Sequence, residues 1–348
     1  MTQTLTITQP DDMHLHLRDA DTLTSVLPDS ARQFGRALIM PNLLSPVDTV
    51  EKAKGYRDRI LAAKEKLCPN TTFEPLMSLY LTDQTTVEEV YKAKESGFIV
   101  AFKLYPSHAT TNSAFGVTDI KNRYHVFEAM AACGIVLSIH GEFVGEGVDI
   151  FDRERVFLKQ VLSPLLVRIP NLKVVLEHVT TKEGVDFVKE AGNNIAATIT
   201  AHHLLLNRNA LFEGGLRPHH YCLPVLKREE DRQALLAAAT SGSPKFFLGT
   251  DSAPHSKGAK ESACGCAGIY TAFAAMSFYA QVFESVNCLD KLEGFASTFG
   301  AAFYGLRKNQ HTITLVRSEW QVDETLSYNN TELLVPFCAG QTLTWQLQ

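Results

Sequence analysis

The sequence predicts a TIM-type (β/α)8 barrel with a C-terminal helical extension and a terminal strand. Eight short apolar runs rich in β-branched and aromatic residues recur along the first three quarters of the chain, and stretches typical of helices separate them. Apolar strands that alternate with helices predict a parallel sheet buried on both faces, and eight such strands can close a barrel. A doubly wound sheet would usually carry a glycine-rich phosphate fingerprint after its first strand, and the sequence has none.

The first predicted strand is the opening run "LTITQPDDMHLHL", which ends in two histidines. The other seven strands are "RALIMPN" (36–42), "FEPLMSLYLT" (73–82), "FIVAFKLYP" (98–106), "GIVLSIHGE" (134–142), "LKVVLEHVT" (172–180), "IAATITAHH" (195–203) and "KFFLGTDSAPH" (245–255).

Amphipathic segments between the strands predict the helices. They are "DTVEKAKGYRDRILAAKEKL", "TVEEVYKAKESG", "DIKNRYHVFEAMAACG", "FDRERVFLKQVLSPLLVRI" and "KREEDRQALLAAATSG", and several end in glycine, the residue favoured after a helix C-terminus. From about residue 265 the chain continues with helical patterns and finishes in the alternating "TLTWQLQ". One of these helices, "AFAAMSFYAQVF", is apolar enough for either the core or an interface. Without a linker, repeat or low-complexity segment, residues 1–348 are expected to form a single domain.

Composition excludes several classes of protein. Hydrophobic residues make up 45% of the chain and charged residues 20%, which is typical of globular proteins and not of disordered or collagen-like chains. The net charge is −5 and no basic tract occurs, so we expect a small-molecule partner and neither nucleic acid nor membrane. The seven scattered cysteines and the lack of a signal peptide favour reduced thiols in the cytoplasm; "CGC" at 264–266 predicts a loop, with adventitious metal binding as the alternative.

Polar side chains follow the apolar runs at positions where strands would open into the barrel mouth. The C-terminal ends of barrel strands surround a common pocket, so these side chains are expected to converge. Imidazole and carboxylate groups are suitable ligands for zinc or a similar divalent ion, and strand alternation places the first two histidines on one face. The candidate ligands are His14, His16, Lys103, His140, His178 and Asp251.

Each candidate also has a simpler interpretation. A lone histidine in an apolar run is more often a core residue with satisfied hydrogen bonds, but the placement of such residues at five strand ends favours a metal site. Lys103 would repel cations as an ammonium group. It could form an ion pair with Asp251 or a nearby glutamate, or it could be carboxylated by CO₂ and bridge two cations.

Several segments in the same order resemble the amidohydrolase superfamily, and more closely its class II dihydroorotases of the monofunctional bacterial type. The resemblance extends over nearly the whole chain. The segments are "DDMHLHLRD", "RALIMPNL", "AFKLYPSHATTNS", "IHGE", "DIFDRE", "LEHVTTK", "GGLRPHHYCLPVLK", "LGTDSAPH" and "KESACGCAG".

The resemblance implies two zinc ions per chain. His14, His16 and Asp251 would hold one ion and His140 and His178 the other, with N6-carboxylated Lys103 and a hydroxide as bridges. It also implies a reversible reaction, the cyclisation of N-carbamoyl-L-aspartate to (S)-dihydroorotate and water in pyrimidine biosynthesis, its third step. Asp251 would act as general acid and base.

The resemblance also assigns residues to the substrate. Arg18 would bind its carboxylate, and Asn42 and His255 would share that task, while Leu223 and Ala267 would offer backbone groups to the ring. The alternative for Arg18 is a surface ion pair with one of the aspartates that follow it in the sequence.

The segment "SHATTNSAFG" (107–116) has few apolar residues and is predicted to be a mobile loop. By the resemblance, Thr110 and Thr111 at its tip would close over the substrate and exclude water. The alternative is an exposed connection without a catalytic role. The family suggests a homodimer.

Three other functions are consistent with parts of this pattern. A hydantoinase or another cyclic amide hydrolase, or a deaminase, would share the barrel and the metals. An inactive homologue acting as a scaffold would be expected to lack ligands, and a metal-storage or sensing module would not need Arg18. His203 and His220 receive no role from the sequence.

Overall fold

The computed structural model describes residues 3–348. Its strands are β1 (Thr4–Thr8), β2 (Asp11–Leu15), β3 (Arg36–Ile39), β4 (Glu74–Leu81), β5 (Ile99–Leu104), β6 (Val136–Ile139), β7 (Val174–Leu176), β8 (Ile195–Ile199), β9 (Phe246–Leu248), β10 (Thr312–Gln321), β11 (Leu326–Tyr328), β12 (Glu332–Leu334) and β13 (Thr342–Leu347).

The α-helices are α1 (Ala20–Ala31), α2 (Val50–Leu67), α3 (Val87–Ser96), α4 (Tyr124–Cys133), α5 (Arg153–Phe157), α6 (Ser163–Arg168), α7 (Lys182–Glu190), α8 (Ala201–Leu205), α9 (Glu229–Ala239), α10 (Lys257–Lys260), α11 (Ala275–Ser285) and α12 (Phe299–Tyr304). Short 3-10 helices span Ile120–Arg123, Arg208–Leu211, Pro218–His220, Ala272–Ala274 and Leu289–Lys291, and π-helical turns span Leu158–Leu162 and Gly294–Thr298.

Strands β2 to β9 form a parallel sheet in chain order, which confirms the predicted barrel of eight strands. The two edges of this sheet meet where Leu15, at the end of β2, forms a bridge to Ser252, just beyond β9. There the Asp251 amide donates to the His14 carbonyl at 2.9 Å. The closure therefore brings the first and the last strand ends of the barrel together.

The opening run is two strands and not one, so this part of the prediction is wrong. Strand β1 pairs with β10 in a separate antiparallel sheet of order β1-β10-β13, and only β2 enters the barrel. The break falls at Pro10, whose nitrogen carries no hydrogen to donate to a ladder. The terminal strand is confirmed as β13, whereas the helical extension ends at Tyr304 and is followed by β10 and the β11-β12 hairpin.

The predicted helices form, and the sequence signals that delimit them are visible in the structure. Gly97 and Gly134 follow α3 and α4 with φ of 72° and 68°, a left-handed conformation that side chains with a Cβ disfavour. Thr49 and Thr86 cap the N-termini of α2 and α3 by accepting a backbone N–H of the first turn. Along the described residues, no helix has the length and apolar character that crossing a membrane requires.

Apolar side chains fill the barrel interior below its mouth. This interior cluster consists of Met13, Leu38, Met40, Leu76, Ala101, Val136, Val175, Ala196 and Phe247. Phe299 and Phe303 of α12 pack against it, and Lys173, directly before β7, donates to the Phe303 carbonyl at 2.7 Å. Helix α12 therefore lies at the N-terminal end of the barrel, and the open end is the C-terminal one.

Helix α11 belongs to the core. Its residues from 275 to 280 are all buried, as are Val282 and Phe283, and the Tyr279 hydroxyl donates to the Ile199 carbonyl at the end of β8. This decides between the two possibilities that its apolar sequence left open.

Candidate metal centre and active site

The structure brings all six predicted ligands together at the C-terminal end of the barrel. His14 lies near the end of β2 and His16 just beyond it, while Lys103 is the second-to-last residue of β5. His140, His178 and Asp251 follow β6, β7 and β9 directly or within three residues. All six residues are buried.

His14, His16 and Asp251 form the tightest group. Asp251 Oδ1 lies 3.4 Å from His14 Nε2 and 3.1 Å from His16 Nε2, so three donor atoms of the kinds that bind zinc face one point. Burial lowers the pKa of both histidines, which keeps their imidazoles in the neutral form that a metal requires. Burial raises the pKa of Asp251, although the nearby His14 and Lys103 oppose the shift.

The remaining two histidines continue the same group of rings. The His178 ring centroid lies 5.0 Å from that of His14 and 4.9 Å from that of His140. His178 Nδ1 is buried and has no hydrogen-bond partner within residues 3–348. Because a buried ring nitrogen without a partner is costly, this atom is available for a ligand.

The amine of Lys103 is fully buried. Its Nζ has no hydrogen-bond partner in the described part of the chain, so the ion pair considered from the sequence does not form. Its Nζ lies 5.1 Å from the centroid of the Tyr105 ring. Burial lowers the pKa of Lys103 to about 8, despite opposing carboxylates at Glu177 and Asp251. A neutral amine is the form that can react with CO₂.

Sequence reasoning missed the carboxylates that orient these ligands. Glu177 accepts from His14 Nδ1 at 2.9 Å, which leaves Nε2 of the same ring facing Asp251. Ser138 and Thr198 donate to the same carboxylate at 2.5 and 2.6 Å. Burial acts to raise the pKa of Glu177, but contacts with His14, Lys103 and Ser138 together outweigh it and lower that pKa.

Two further buried carboxylates support the ligand-bearing segments. Glu142 lies 2.7 Å from His140 Nε2. Asp12 accepts from the amides of His14 and Thr250 at 3.1 and 2.8 Å, which ties β2 to the segment that carries Asp251. The only sequence signal for these residues was a carboxylate inside an apolar run.

Three residues of the site have a strained backbone. Arg18, His178 and Asp251 have φ of 58°, 40° and 47°, in the left-handed region that residues with a Cβ rarely adopt. Such conformations persist only where the surroundings impose them, and they cluster at functional sites.

A small cavity adjoins the proposed ligands. It is lined by His14, His16, Arg18, Asn42, Tyr105, Thr110, Thr111, His140, His178, Leu223, Asp251, Ala253, Ala267 and Gly268. This list includes every predicted substrate contact except His255, and His255 Nε2 lies 3.2 Å from Arg18 Nη2. Asp19 pairs with Arg59 at 2.6 Å, so the structure places Arg18 in the cavity wall and not in the surface ion pair considered from the sequence.

The loop 107–116 lies over the cavity. The Asn42 side chain donates to the Thr111 carbonyl at 3.1 Å, and the Asn112 side chain donates back to the Asn42 carbonyl at 3.0 Å. The Thr111 hydroxyl donates to the Ala267 carbonyl at 3.4 Å. The loop thus contacts two walls of the cavity and is more than an exposed connection.

The two histidines without a predicted role, His203 and His220, contact backbone carbonyls. His203 Nε2 lies 3.0 Å from the Pro224 carbonyl, and His220 Nδ1 lies 2.8 Å from that of Ala210. All seven cysteines are free, and of the "CGC" pair Cys264 is exposed and Cys266 half-buried.

The donor set fits a pair of divalent cations. Four imidazoles, a carboxylate and an amine that can become a carbamate lie together at this end of the barrel, and two of these groups have buried nitrogens without partners among the described residues. Buried polar atoms of this kind are rare in proteins unless a ligand or an ion completes them.

The sequence is similar to curated dihydroorotases over nearly its whole length. The dihydroorotase of Cupriavidus necator is 59% identical over 346 residues, and that of Azoarcus sp. strain BH72 is 58% identical over 345 residues; each match covers 99% of this chain and 99% of the relative. No protein-family model matches the chain.

Solved structures give the same result. The crystal structure of a dihydroorotase from Campylobacter jejuni superposes with a TM-score of 0.91 at 37% identity, covering 100% of this chain and 98% of that one. The Saccharomyces cerevisiae dihydroorotase in complex with 5-fluoroorotic acid superposes with a TM-score of 0.90 at 34% identity, covering 99% and 98%. An L-hydantoinase from Arthrobacter aurescens reaches 0.80 at 15% identity, a likeness that concerns the fold alone.

Proposed function

The chain belongs to the dihydroorotase family of amidohydrolases, and we propose that its activity depends on two zinc ions held by the six convergent side chains. As a dihydroorotase it catalyses the reversible cyclisation of N-carbamoyl-L-aspartate to dihydroorotate. The observation that carries the zinc proposal is the buried, unpartnered Nζ of Lys103 beside four buried histidines.

The ligands divide into two groups. His14, His16 and Asp251 would hold one ion, and His140 and His178 the other, with carboxylated Lys103 shared between them. Bound there, the ions would polarise the amide carbonyl of the substrate and make water more acidic. Glu177 and Glu142 would keep His14 and His140 in the orientation that ligation needs.

Asp251 would move the proton in the reaction. In the hydrolytic direction the ring amide C–N bond breaks, the carbonyl carbon gains the oxygen of water, and the nitrogen gains a proton. Asp251 lines the cavity and would take the proton from water and deliver it to the departing nitrogen. In the cyclisation direction the same carboxyl would pass the proton back.

The substrate carboxylate would bind on the side of the cavity formed by Arg18. The guanidinium can donate two hydrogen bonds to a carboxylate, and His255 Nε2, at 3.2 Å, fixes its orientation. Asn42 would complete this site, while the backbone at Leu223 and Ala267 would contact the ring. The preference for an acidic substrate follows from the fixed charge.

The loop 107–116 would act as a lid. Thr110 and Thr111 line the cavity, and the contact of Thr111 with Ala267 joins the loop to the opposite wall. Opening would admit the substrate, and closing would exclude bulk water from the reacting atoms.

Three further features complete the proposal. Residues 1–348 would form one domain, because one apolar cluster contacts strands from β1 to β13. The protein would work in the cytoplasm with reduced cysteines and would form a homodimer; exposed Phe212 and Leu216 are candidates for an interface. Light scattering after size exclusion would give the oligomeric state.

The test is ring opening of dihydroorotate at mildly alkaline pH, with zinc measured on the same sample. We expect turnover with about two zinc ions per chain, loss of turnover on chelation, and recovery when zinc is returned. A metal-loaded protein that opens hydantoins but not dihydroorotate would contradict the substrate, and turnover that persists without metal would contradict the zinc site.

A further inference from the structure

Lys260, at the end of α10, is a second buried amine, and it lies outside the metal centre. It is 4% exposed. Its Nζ donates to the carbonyls of Tyr221, Cys266 and Gly268 at 2.7, 2.8 and 2.7 Å, so all three ammonium hydrogens are used. Nowhere in residues 3–348 does a carboxylate lie within ion-pair distance of it, so these three carbonyls offset the cost of burying the charge.

These carbonyls belong to the two segments that form the ring side of the cavity. Tyr221 comes two residues before Leu223, and Cys266 and Gly268 flank Ala267. The Gly268 amide also donates to the Tyr221 carbonyl at 3.0 Å. Lys260 therefore fastens the Leu223 segment to the Ala267 segment from behind, without lining the cavity itself.

The fastened segment is in close contact with the proposed carboxylate site. Gly268 has φ of 147°, and a Cβ at this position would lie 2.8 Å from His255 Cδ2 and from Ala253 Cβ. The neighbouring Ala267 carbonyl accepts from the loop residue Thr111. A shift of this segment would therefore disturb His255, the loop contact and the ring contact at the same time.

We propose that Lys260 is a positioning residue that sets the separation of the Leu223 and Ala267 backbones for binding dihydroorotate. This inference rests on the proposed substrate contacts of those two residues. Lys260 does not line the cavity and therefore does not touch the reacting amide, so its loss weakens binding of the ground state and of the transition state alike. The expected signature is a higher KM with little change in kcat.

The experiment compares Lys260→Met with Lys257→Met in the zinc-loaded enzyme. Lys257 lies in the same short helix but is exposed, so its substitution controls for lost charge in α10. We expect KM for dihydroorotate to rise at least about tenfold in Lys260→Met, with kcat within about twofold and zinc content unchanged. Lys257→Met should match the unsubstituted enzyme. In Lys260→Ala, added propylammonium should lower KM again, because it replaces the missing alkyl chain and its ammonium group.

Several outcomes would overturn the proposal. A KM unchanged in Lys260→Met would show that the three hydrogen bonds do not position the substrate, and a joint loss of zinc and kcat would assign Lys260 to the metal centre. Where Lys260→Met does not fold, Lys260→Gln, which keeps two N–H donors, should give an intermediate KM; failure of both to fold would leave Lys260 a folding role only. Failure of the proposed function appears separately, because the unsubstituted enzyme would then not open dihydroorotate, and the Lys260 proposal would fall with it.

Discussion

Both ends of the barrel bury charged side chains, but they treat them differently. At the N-terminal end, Arg36 donates to both oxygens of Asp11 at 2.9 and 2.6 Å, and Asn309 donates to the same carboxylate at 2.8 Å. At the C-terminal end, Lys103 is equally buried, and its Nζ has no partner anywhere in the described chain.

The difference separates a structural site from a binding site. A buried charge with satisfied hydrogen bonds holds β2 and β3 in place and needs nothing further. A buried amine without partners is costly in the protein alone, and the proposed carboxylation and metal binding would offset that cost. Substitutions at the two ends should therefore affect different measurements, and the following experiments are ordered by their expected effect on turnover.

Asp251→Asn should have the largest effect. It alters a proposed metal ligand and removes the carboxylate proposed to move the proton, while the side chain keeps its size. We expect kcat to fall at least about 1,000-fold. Thermal unfolding followed by circular dichroism should show a folded protein; turnover within tenfold of the original would rule out Asp251 as the proton carrier.

Lys103→Met should nearly abolish turnover by a different route. Methionine fills the same buried space but cannot form a carbamate, so we expect zinc to fall to about one ion per chain or less. Elemental analysis after dialysis measures this. As a second check, the metal-free parent protein supplied with zinc should regain activity when bicarbonate is present and not in CO₂-free buffer. Equal recovery in the two buffers would contradict carboxylation.

Glu177→Gln should weaken zinc binding without removing a ligand. An amide can still contact His14 Nδ1, but it lacks the charge that favours the tautomer with a free Nε2. We expect zinc affinity to fall about 10- to 100-fold, and excess zinc to restore most of the activity. Competition with a chelator of known affinity measures the zinc affinity. An unchanged affinity would mean that Glu177 only accepts hydrogen bonds from Ser138 and Thr198 and does not orient His14.

The sequence was sufficient to predict the barrel and the convergence of six side chains at its mouth for a physical reason. Parallel strands buried on both faces are continuous apolar runs, and their C-terminal ends meet at one mouth, so a polar residue after such a run has a defined location. His140 and Asp251 could therefore be placed near each other although 110 positions separate them in the chain.

What the sequence did not reveal depends on contacts between distant segments. The pairing of β1 with β10 joins Thr4 to Val316, and no local pattern indicates that partner; the alternation of β1 instead appeared continuous with β2. The contacts of Lys260 are with backbone carbonyls, which every residue has, so no pattern of side chains could have signalled them. Glu177 was visible only as an acidic residue beside His178.

Asp11→Asn tests the N-terminal end and should have the smallest effect on turnover. Zinc content, kcat and KM of the folded protein should be unchanged, because Asp11 lies at the start of β2 and the proposed ligands lie at the C-terminal ends of the strands or beyond them. Arg36 would lose its buried counter-ion, so the free energy of unfolding should fall by about 3 kcal/mol in urea titrations.

The same titration on metal-free Lys103→Met should give the opposite sign. Removing a buried amine that has no partner and replacing it with an apolar chain of similar size eliminates a desolvation cost, so the metal-free variant should be at least as stable as the metal-free parent. The two ends of the barrel would then differ as their hydrogen bonds indicate. The Asp11 carboxylate would stabilise the fold, whereas the Lys103 amine would lower the stability of the metal-free protein. A destabilised Lys103→Met protein would show instead that the amine has structural partners and would weaken the case for carboxylation.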